Sequence, residues 1–311
     1  MRANVTATGQ GKLIVFGEHA VVYGRPAVAC SLPTGARATL QRAATPRWVI
    51  EHPGGLIDAN ADADILKAGN LLLEPFGLCA DELDIRIEMS IPLGAGLGSS
   101  AAMAVAVARG AARLLDLNEA DTEQRVSRAV IASESVFHGK ASGIDQQAAM
   151  GSGFFTFRKT DSGPVVDPLK VDAHRWVVAR VAPSKSTAAM VQSVADRRER
   201  LPEVTESLFD DFAHTSEMGA RALTAGAWDV VGELMNVNQG LLEAIGVSTP
   251  ELEAACTAAN QSGALGAKIT GAGGGGCILA LAQDDDDRLV DALGEYGDVF
   301  EFTLAGRNST T

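Results

Sequence analysis

The sequence predicts a globular fold of mixed helices and strands, organised as one large domain or as two domains of ordinary size. The chain has 311 residues, which is enough to bury a substantial core. Hydrophobic residues make up 46% and charged residues 21% of the sequence, as is typical of soluble globular proteins. Short apolar runs of strand character alternate with longer segments of helical period, which indicates a mixed class.

The order of the predicted elements follows from this alternation. In the first half the predicted strands are residues 12–16, 27–31, 83–89 and 154–157, and the predicted helices are residues 100–115 and 121–137. Residues 160–170 contain Gly163, Pro164 and Pro168 and are predicted to form a linker. The second half is predicted to begin with a strand at residues 176–181, to continue with helices to about residue 260 and to end with a strand at residues 277–282.

Charge and composition argue against several classes of partner. The formal net charge of −13 disfavours nucleic acid and anionic membrane surfaces. No apolar run approaches the roughly 20 residues that span a bilayer, and the amino terminus lacks the apolar stretch of a signal peptide. The four cysteines show no paired spacing, so neither a disulfide framework nor a zinc site is indicated. We therefore expect a cytoplasmic protein without nucleic-acid or membrane partners, and the sequence leaves its oligomeric state open, a homodimer included.

A glycine-rich segment before the first long helix has the composition of a nucleotide-phosphate loop. Three alternating glycines precede two serines at the expected helix start, and the segment comprises Gly94, Ala95, Gly96, Leu97, Gly98, Ser99, Ser100 and Ala101. Glycines let backbone N–H groups approach an anion, and a helix N-terminus favours phosphate. A serine hydroxyl there can also ligate a phosphate-bound magnesium ion. The segment lacks the Gly-Lys-Ser/Thr of a Walker A loop, and the alternative is a flexible turn before a buried helix.

The helix predicted at residues 121–137 carries a carboxylate on its apolar face. Val126, Val130 and Phe137 mark that face, and Glu134 lies four residues after Val130. A buried carboxylate is costly unless it is paired or bound to a cation. Glu134 is therefore either a magnesium ligand or half of a buried salt bridge.

Two further charged residues have competing interpretations. Asp145 ends the turn after His138 and Ser142, and taken alone it is most simply a cap of the helical residues that follow. Lys12 borders the first predicted strand, where it is either a site residue or a solvated flank. Residues 271–276 match the dinucleotide pattern G-x-G-x-x-G, but we reject that match because a strand follows where the fingerprint requires a helix.

Three segments, residues 11–24, 92–102 and 268–277, together resemble the superfamily of small-molecule kinases named for galactokinase, homoserine kinase, mevalonate kinase and phosphomevalonate kinase. Within it, the first segment, GKLIVFGEHAVVYG, is most similar to the mevalonate-phosphorylating members. Residues 134–145 also resemble their pattern E-x-x-x-H-G-x-x-S-G-x-D. The chain departs from the usual pattern at Lys140 and Ala141, where Asn-Pro is common, and at Gln146, where asparagine is usual.

The resemblance implies a role for each candidate residue. Lys12 and Asp145 would face the reacting hydroxyl as catalytic residues, and the loop from Gly94 to Ala101 would bind ATP. Ser100 and Glu134 would hold Mg²⁺. The substrate would contact a further set of residues, namely Glu18, His19 and Thr187.

The implied fold is α+β in two domains with the nucleotide in the cleft between them. An N-terminal mixed α/β domain would span residues 1–168 and carry the phosphate loop, and a ferredoxin-like domain would span residues 169–311. The implied activity is ATP-dependent phosphorylation of the primary hydroxyl of mevalonate. The alternatives are a sister kinase acting on phosphomevalonate or a sugar, for which Arg25 and Lys185 could supply extra positive charge, and a relative that binds a metabolite without turnover.

Overall fold

The computed structural model describes residues 4–137, 143–183, 185–283 and 287–306. The strands in this part of the chain are β1 (Asn4–Phe16), β2 (Ala27–Arg42), β3 (Arg47–His52), β4 (Gly55–Asp58), β5 (Leu83–Met89), β6 (Gly153–Thr160), β7 (Gly163–Pro168), β8 (His174–Ala182), β9 (Ala264–Thr270), β10 (Gly276–Ala282) and β11 (Asp298–Leu304). The helices are α1 (Ala63–Leu73), α2 (Ser99–Leu114), α3 (Glu119–Phe137), α4 (Ile144–Met150), α5 (Thr187–Arg200), α6 (Pro202–Ala225), α7 (Trp228–Ala244), α8 (Pro250–Gln261) and α9 (Arg288–Gly294). None of these helices is both long and apolar enough to cross a membrane.

The chain forms two compact units that interleave along the sequence. The first unit comprises Met1–Lys12, Pro33–Leu93 and Gly98–Gly151, and the second comprises Leu13–Leu32, Gly94–Leu97 and Ser152–Thr311. The polypeptide therefore leaves the first unit inside β1, directly after Lys12, and returns to it inside β2. The domain boundary expected at residue 168 stays a prediction.

In the first unit, helices cover a sheet in which β5 lies between β3 and the second part of β2. β5 is antiparallel to residues 36–42 of β2 and parallel to β3, and β4 pairs with the far edge of β3. β5 buries Leu83, Ile85 and Ile87 and exposes Arg86 and Glu88, as its alternating sequence predicts. The helix α3 packs against both α1 and α2. Most of the alanines and valines of α2 are buried, which lets neighbouring backbone approach it closely.

In the second unit, a four-stranded antiparallel sheet has the order β11-β8-β10-β9. Counted within this sheet, the order is 4-1-3-2, with helices α5 to α8 between the first two strands and α9 between the last two. This βαββαβ arrangement is the ferredoxin-like topology, so the predicted fold is confirmed. Side chains of β8, β9 and β10 pack against Phe209 and Phe212 of α6 in one buried cluster.

The linker predicted at residues 160–170 is wrong. This segment is a β-hairpin in which β7 pairs along β6, from Thr160↔Gly163 to Phe155↔Pro168. The Thr160 hydroxyl donates a 2.6 Å hydrogen bond to the Gly163 carbonyl and closes the turn. The prolines misled the prediction because proline usually breaks a sheet, yet β7 ends its sheet, and an edge strand tolerates proline.

We expect Gly69→Ala to destabilise the protein by about 1–3 kcal/mol, because an added Cβ would overpack the core. That Cβ would lie 1.8 Å from the indole ring of Trp48, which is buried under α1. Chemical denaturation monitored by circular dichroism measures the change. A matched control is Gly240→Ala in α7, where an added Cβ has no neighbour within 4 Å. This control should raise stability by up to about 1 kcal/mol, and equal effects of the two variants would contradict the packing argument.

Candidate active site

Lys12 lies within β1 and pairs with Asp145. Its side-chain nitrogen lies 3.1 Å from Asp145 Oδ1, and the residue is only 4% exposed. The path of its side chain depends on Gly98, because a Cβ added there would lie 2.6 Å from Lys12 Cγ. Gly98 also has a φ of +73°, which favours glycine. Lys12 is therefore a buried, oriented ammonium group, and the solvated-flank interpretation is wrong.

Asp145 is the second residue of α4 and does not cap it. The N-cap position belongs to Gly143, and among the described residues no side chain caps this helix. The Asp145 side chain is 39% exposed and makes its ion pair with Lys12. Gln146 follows it, at the position where asparagine is usual in the family pattern. Its side chain donates a 2.8 Å hydrogen bond to Ser127 Oγ and so links α4 to α3. The capping interpretation is wrong, and the carboxylate is free to act on a ligand.

Glu134 is the buried carboxylate that the sequence predicts on α3. It is 6% exposed, and Val126 and Val130 are fully buried on the same face. The Ser100 hydroxyl donates to Glu134 Oε1 over 3.2 Å. Burial, and next the charge of Asp145, raise the pKa of Glu134 to about 7, against the hydrogen bond from Ser100 and the charge of Lys12. Among the described residues of this cluster, the two carboxylates of Glu134 and Asp145 therefore face one ammonium group, that of Lys12.

The glycine loop ends at an open helix N-terminus. Gly94, Gly96 and Gly98 have φ values of +67°, +80° and +73°, and Gly98 is the N-cap of α2. No side chain in the described part of the chain caps this helix. The N–H groups of its first turn, which have no partner inside a helix, therefore remain available to an anion.

A second polar cluster surrounds Glu18 in the other unit. Both Glu18 and Lys268 are buried, and the Lys268 ammonium forms an ion pair with Glu18 Oε1. Asn238 Nδ2 donates a 3.0 Å hydrogen bond to Glu18 Oε2. Asn238 Oδ1 in turn accepts from the Gly17 N–H at 3.4 Å. Both oxygens of the Glu18 carboxylate are therefore engaged by the protein.

His19 is held beside this cluster as a neutral ring. Its Nε2 lies 2.8 Å from the Ala272 carbonyl oxygen, which only accepts, so Nε2 carries the proton. Burial lowers the pKa of His19, against the hydrogen bond to Ala272 and the charge of Glu18. In the neutral ring Nδ1 is then the hydrogen-bond acceptor.

The remaining candidates lie on the surface of the second unit. Thr187 is exposed at the start of α5, whose N-cap is Ser186. Lys185 is exposed, and its backbone N–H donates to the Gly274 carbonyl in the third motif. Arg25 forms ion pairs with Glu206 at 3.0 Å and Asp210 at 2.7 Å, so its charge is already compensated.

The structure thus groups four predicted residues of the first unit, Lys12, Ser100, Glu134 and Asp145, and separately places Glu18 beside His19. Sequence reasoning missed Lys268 and Asn238. Lys268 carries a recognisable signal, because it is the one charged residue in the apolar strand β9. Asn238 has no such signal, since its partners are more than 200 residues away in the sequence. His138 and Ser142 of the E-x-x-x-H-G-x-x-S-G-x-D stretch lie outside the described residues.

Comparison with known proteins identifies the family. Residues 64–154 match the GHMP kinases N terminal domain, and residues 220–299 match the GHMP kinases C terminal domain. Mevalonate kinase of Methanothermobacter thermautotrophicus is 36% identical over 296 residues, which cover 93% of each chain. That of Pyrococcus horikoshii is 33% identical over 327 residues, covering 97% of this chain and 96% of the relative. The crystal structure of L. major mevalonate kinase in complex with R-mevalonate superposes with a TM-score of 0.87 at 27% identity and covers 99% of both chains.

The chain belongs to the GHMP kinase family, the superfamily whose motifs its sequence resembles. It is an ATP-dependent kinase that acts on small molecules. The relatives named above are all mevalonate kinases, two of them from archaea and one of them solved with R-mevalonate bound.

We expect Glu134→Gln to remove a pH-dependent penalty on stability when divalent cations are absent. The folded-state pKa of about 7 lies above the ordinary glutamate value of 4.5, so the contribution of Glu134 is most favourable below pH 4.5 and is lost as the pH rises to about 7. The unfolding free energy of the variant relative to wild type should therefore rise by about 2–3 kcal/mol across this range. Urea denaturation at several pH values in a chelator measures it.

The matched control is Glu119→Gln, because Glu119 is exposed on the same helix. Its difference from wild type should stay nearly constant over the same pH range. A Glu134→Gln difference that does not change with pH would contradict the burial argument.

Proposed function

We propose that this kinase transfers the γ-phosphoryl group of ATP to the primary hydroxyl of mevalonate, with Mg²⁺ as cofactor. The observation that carries the chemistry is the cluster in which Lys12 pairs with Asp145 while Glu134 accepts from Ser100. The identity of the relatives and the first motif support mevalonate as the acceptor. The cytoplasmic location and a homodimer stay predictions.

The donor set at Ser100 and Glu134 fits Mg²⁺. A hydroxyl and a carboxylate are the hard oxygen ligands that this ion takes, usually one or two from protein with the rest from phosphate and water. Burial, and next the charge of Asp145, raise the pKa of Glu134, so a cation bound here would stabilise its ionised form. When bound, Mg²⁺ would neutralise charge on the transferring phosphates. Ser100 and Glu134 would hold it, and Ser100 lies in the first turn of α2, where the free N–H groups would also meet the phosphates.

The triphosphate would bind the loop from Gly94 to Ala101. Its three left-handed glycines and the uncapped first turn of α2 offer backbone N–H groups and the positive end of the helix dipole. Because these backbone groups can bind phosphate by themselves, we propose that the loop binds ATP without a Walker A lysine.

Lys12 and Asp145 would act on the acceptor hydroxyl. The hydroxyl oxygen forms a bond to the γ-phosphorus while the bond from that phosphorus to the bridging β-phosphate oxygen breaks, and ADP leaves. Asp145 orients the hydroxyl and accepts its proton. Lys12 stabilises the charge that develops on the attacking oxygen. The ion pair between them fixes both groups before substrate binds.

His19 and Thr187 are proposed to contact the rest of the acceptor. The neutral His19 offers an acceptor at Nδ1, which suits a hydroxyl better than a phosphate. Arg25 is a candidate for binding a substrate that is already phosphorylated, but it forms ion pairs with Glu206 and Asp210. These two points favour an unphosphorylated alcohol over phosphomevalonate.

We expect purified protein to release ADP from ATP with mevalonate, in a reaction that stops with a chelator and resumes with excess Mg²⁺. A coupled ADP-release assay measures it, with phosphomevalonate and galactose as competing acceptors. Turnover confined to one of those acceptors would move the assignment to a sister kinase. Absence of turnover with every acceptor would favour a binding protein.

We expect Asp145→Asn to lower kcat by about 10²–10⁴ while the KM for ATP changes little, because the amide cannot accept the proton. Steady-state kinetics with each substrate in turn measure the two parameters. Asp64→Asn is the matched control, since Asp64 is the second residue of α1 as Asp145 is of α4. The control should keep near-wild-type kcat, and a similarly active Asp145→Asn would remove Asp145 from the mechanism.

A further inference from the structure

Glu18 is enclosed by the protein on both sides of its carboxylate. Lys268 takes Oε1, and Asn238 donates to Oε2 at 3.0 Å. The side chain of Glu18 is 1% exposed, and that of Lys268 is fully buried. With 1% of its side chain exposed, this carboxylate is closed to a substrate group unless the side chains around it rearrange. Separating it from Lys268 would leave a buried charge uncompensated, which is strongly unfavourable.

Asn238 and a second residue of the third motif, Ala272, hold the turn in which Glu18 lies. The Gly17 N–H donates to Asn238 Oδ1, and the His19 ring donates to the Ala272 carbonyl. Each of the three consecutive residues Gly17, Glu18 and His19 is therefore anchored to α7 or to the third motif.

The strand that leads into this turn is anchored in the same way. Thr270 Oγ1 accepts from the Ile14 N–H and donates to the Ile14 carbonyl, both over 3.1 Å. Lys268 also lies 3.5 Å from that carbonyl. Because Lys268 and Thr270 are two residues apart in β9, their side chains point to the same face of the strand. Two side chains of β9 in the third motif, Lys268 and Thr270, thus contact the backbone of the first motif at Ile14.

We propose that Lys268 and Asn238 are positioning residues for phosphoryl transfer, which fix Glu18 as an internal anchor so that His19, and not Glu18, contacts the substrate. This inference rests on the proposed function, because it assigns His19 to the acceptor alcohol. It revises the substrate contact that the family resemblance implies for Glu18. The reason is that the Glu18 side chain is 1% exposed and both of its oxygens already accept from the protein, so this carboxylate orients its neighbour and is closed to a ligand.

The first test compares two neighbours on α7. Asn238 and Gln239 are both buried, but Gln239 Oε1 accepts from the Ile269 N–H, and its Nε2 donates to Glu243. Asn238→Ala should raise the KM for mevalonate at least tenfold and leave the KM for ATP within twofold. Gln239→Ala should lower the melting temperature by a similar amount with both KM values within threefold. Equal kinetic effects of the two variants, or none from Asn238→Ala, would overturn the proposal.

The second test asks whether Glu18 touches the substrate. Lys268→Met alone strands a buried carboxylate and should yield little folded protein, whereas the double variant Glu18→Gln/Lys268→Met is neutral and should fold. We expect the double variant to have a KM for mevalonate above that of wild type, because Lys268 no longer anchors the turn, and below that of Glu18→Gln alone, because no buried charge is left without a partner. A double variant as impaired as Glu18→Gln would identify Glu18 as a substrate ligand and overturn the proposal.

Failure of the proposed function has a different signature. If wild-type protein turns over another alcohol and not mevalonate, the substrate assignment fails, and the same variants are measured with that alcohol. The KM values of the Asn238 and Gln239 variants and of the double variant for that alcohol then test the positioning inference separately.

Discussion

The burial of charge on and around the first strand is the constraint on which the candidate site depends. Lys12 within β1 and Glu18 just after it are both nearly inaccessible to water, and a buried charge persists only with a partner. Each has one, Asp145 for Lys12 and Lys268 for Glu18. The two pairs differ in exposure, since Asp145 is 39% exposed and Lys268 is not exposed at all. We therefore assign the first pair to chemistry and the second to anchoring.

Glu134 is the contrasting case, and it explains how the site can recruit a cation. Burial, and next the charge of Asp145, raise its pKa, and the hydrogen bond from Ser100 and the charge of Lys12 offset only part of that rise. A protein that needed this carboxylate only for its fold would gain by pairing it with a base. A carboxylate left short of positive charge beside an open helix N-terminus instead suits a magnesium–phosphate complex. The free-energy cost of burying Glu134 without a bound cation would be recovered when a magnesium–nucleotide complex binds.

Part of the site could be predicted from sequence because its signals are local. The alternating glycines of the phosphate loop, the helical spacing of Glu134 from Val126 and Val130, and the strand after the third glycine segment all require only neighbouring residues. The hairpin of β6 and β7 was misread for the same reason, because Pro164 and Pro168 signal a break locally, and only the sheet shows that their strand is at an edge. Residue roles at Lys12 and Asp145 were ambiguous, since a strand flank and a helix cap use the same residue types.

The sequence by itself determined the helices and strands, the mixed fold and the family, because hydrophobic periodicity and motifs depend only on residues that are close together in the sequence. Tertiary structure decided which charges meet. Lys12 joins Asp145 across more than 130 residues and Glu18 joins Lys268 across 250, and neither ion pair follows from the local sequence around its members. The difference is physical: local propensity depends on the backbone and adjacent side chains, whereas the pKa of Glu134 and the engagement of Glu18 depend on desolvation and on partners that only folding brings within hydrogen-bond distance.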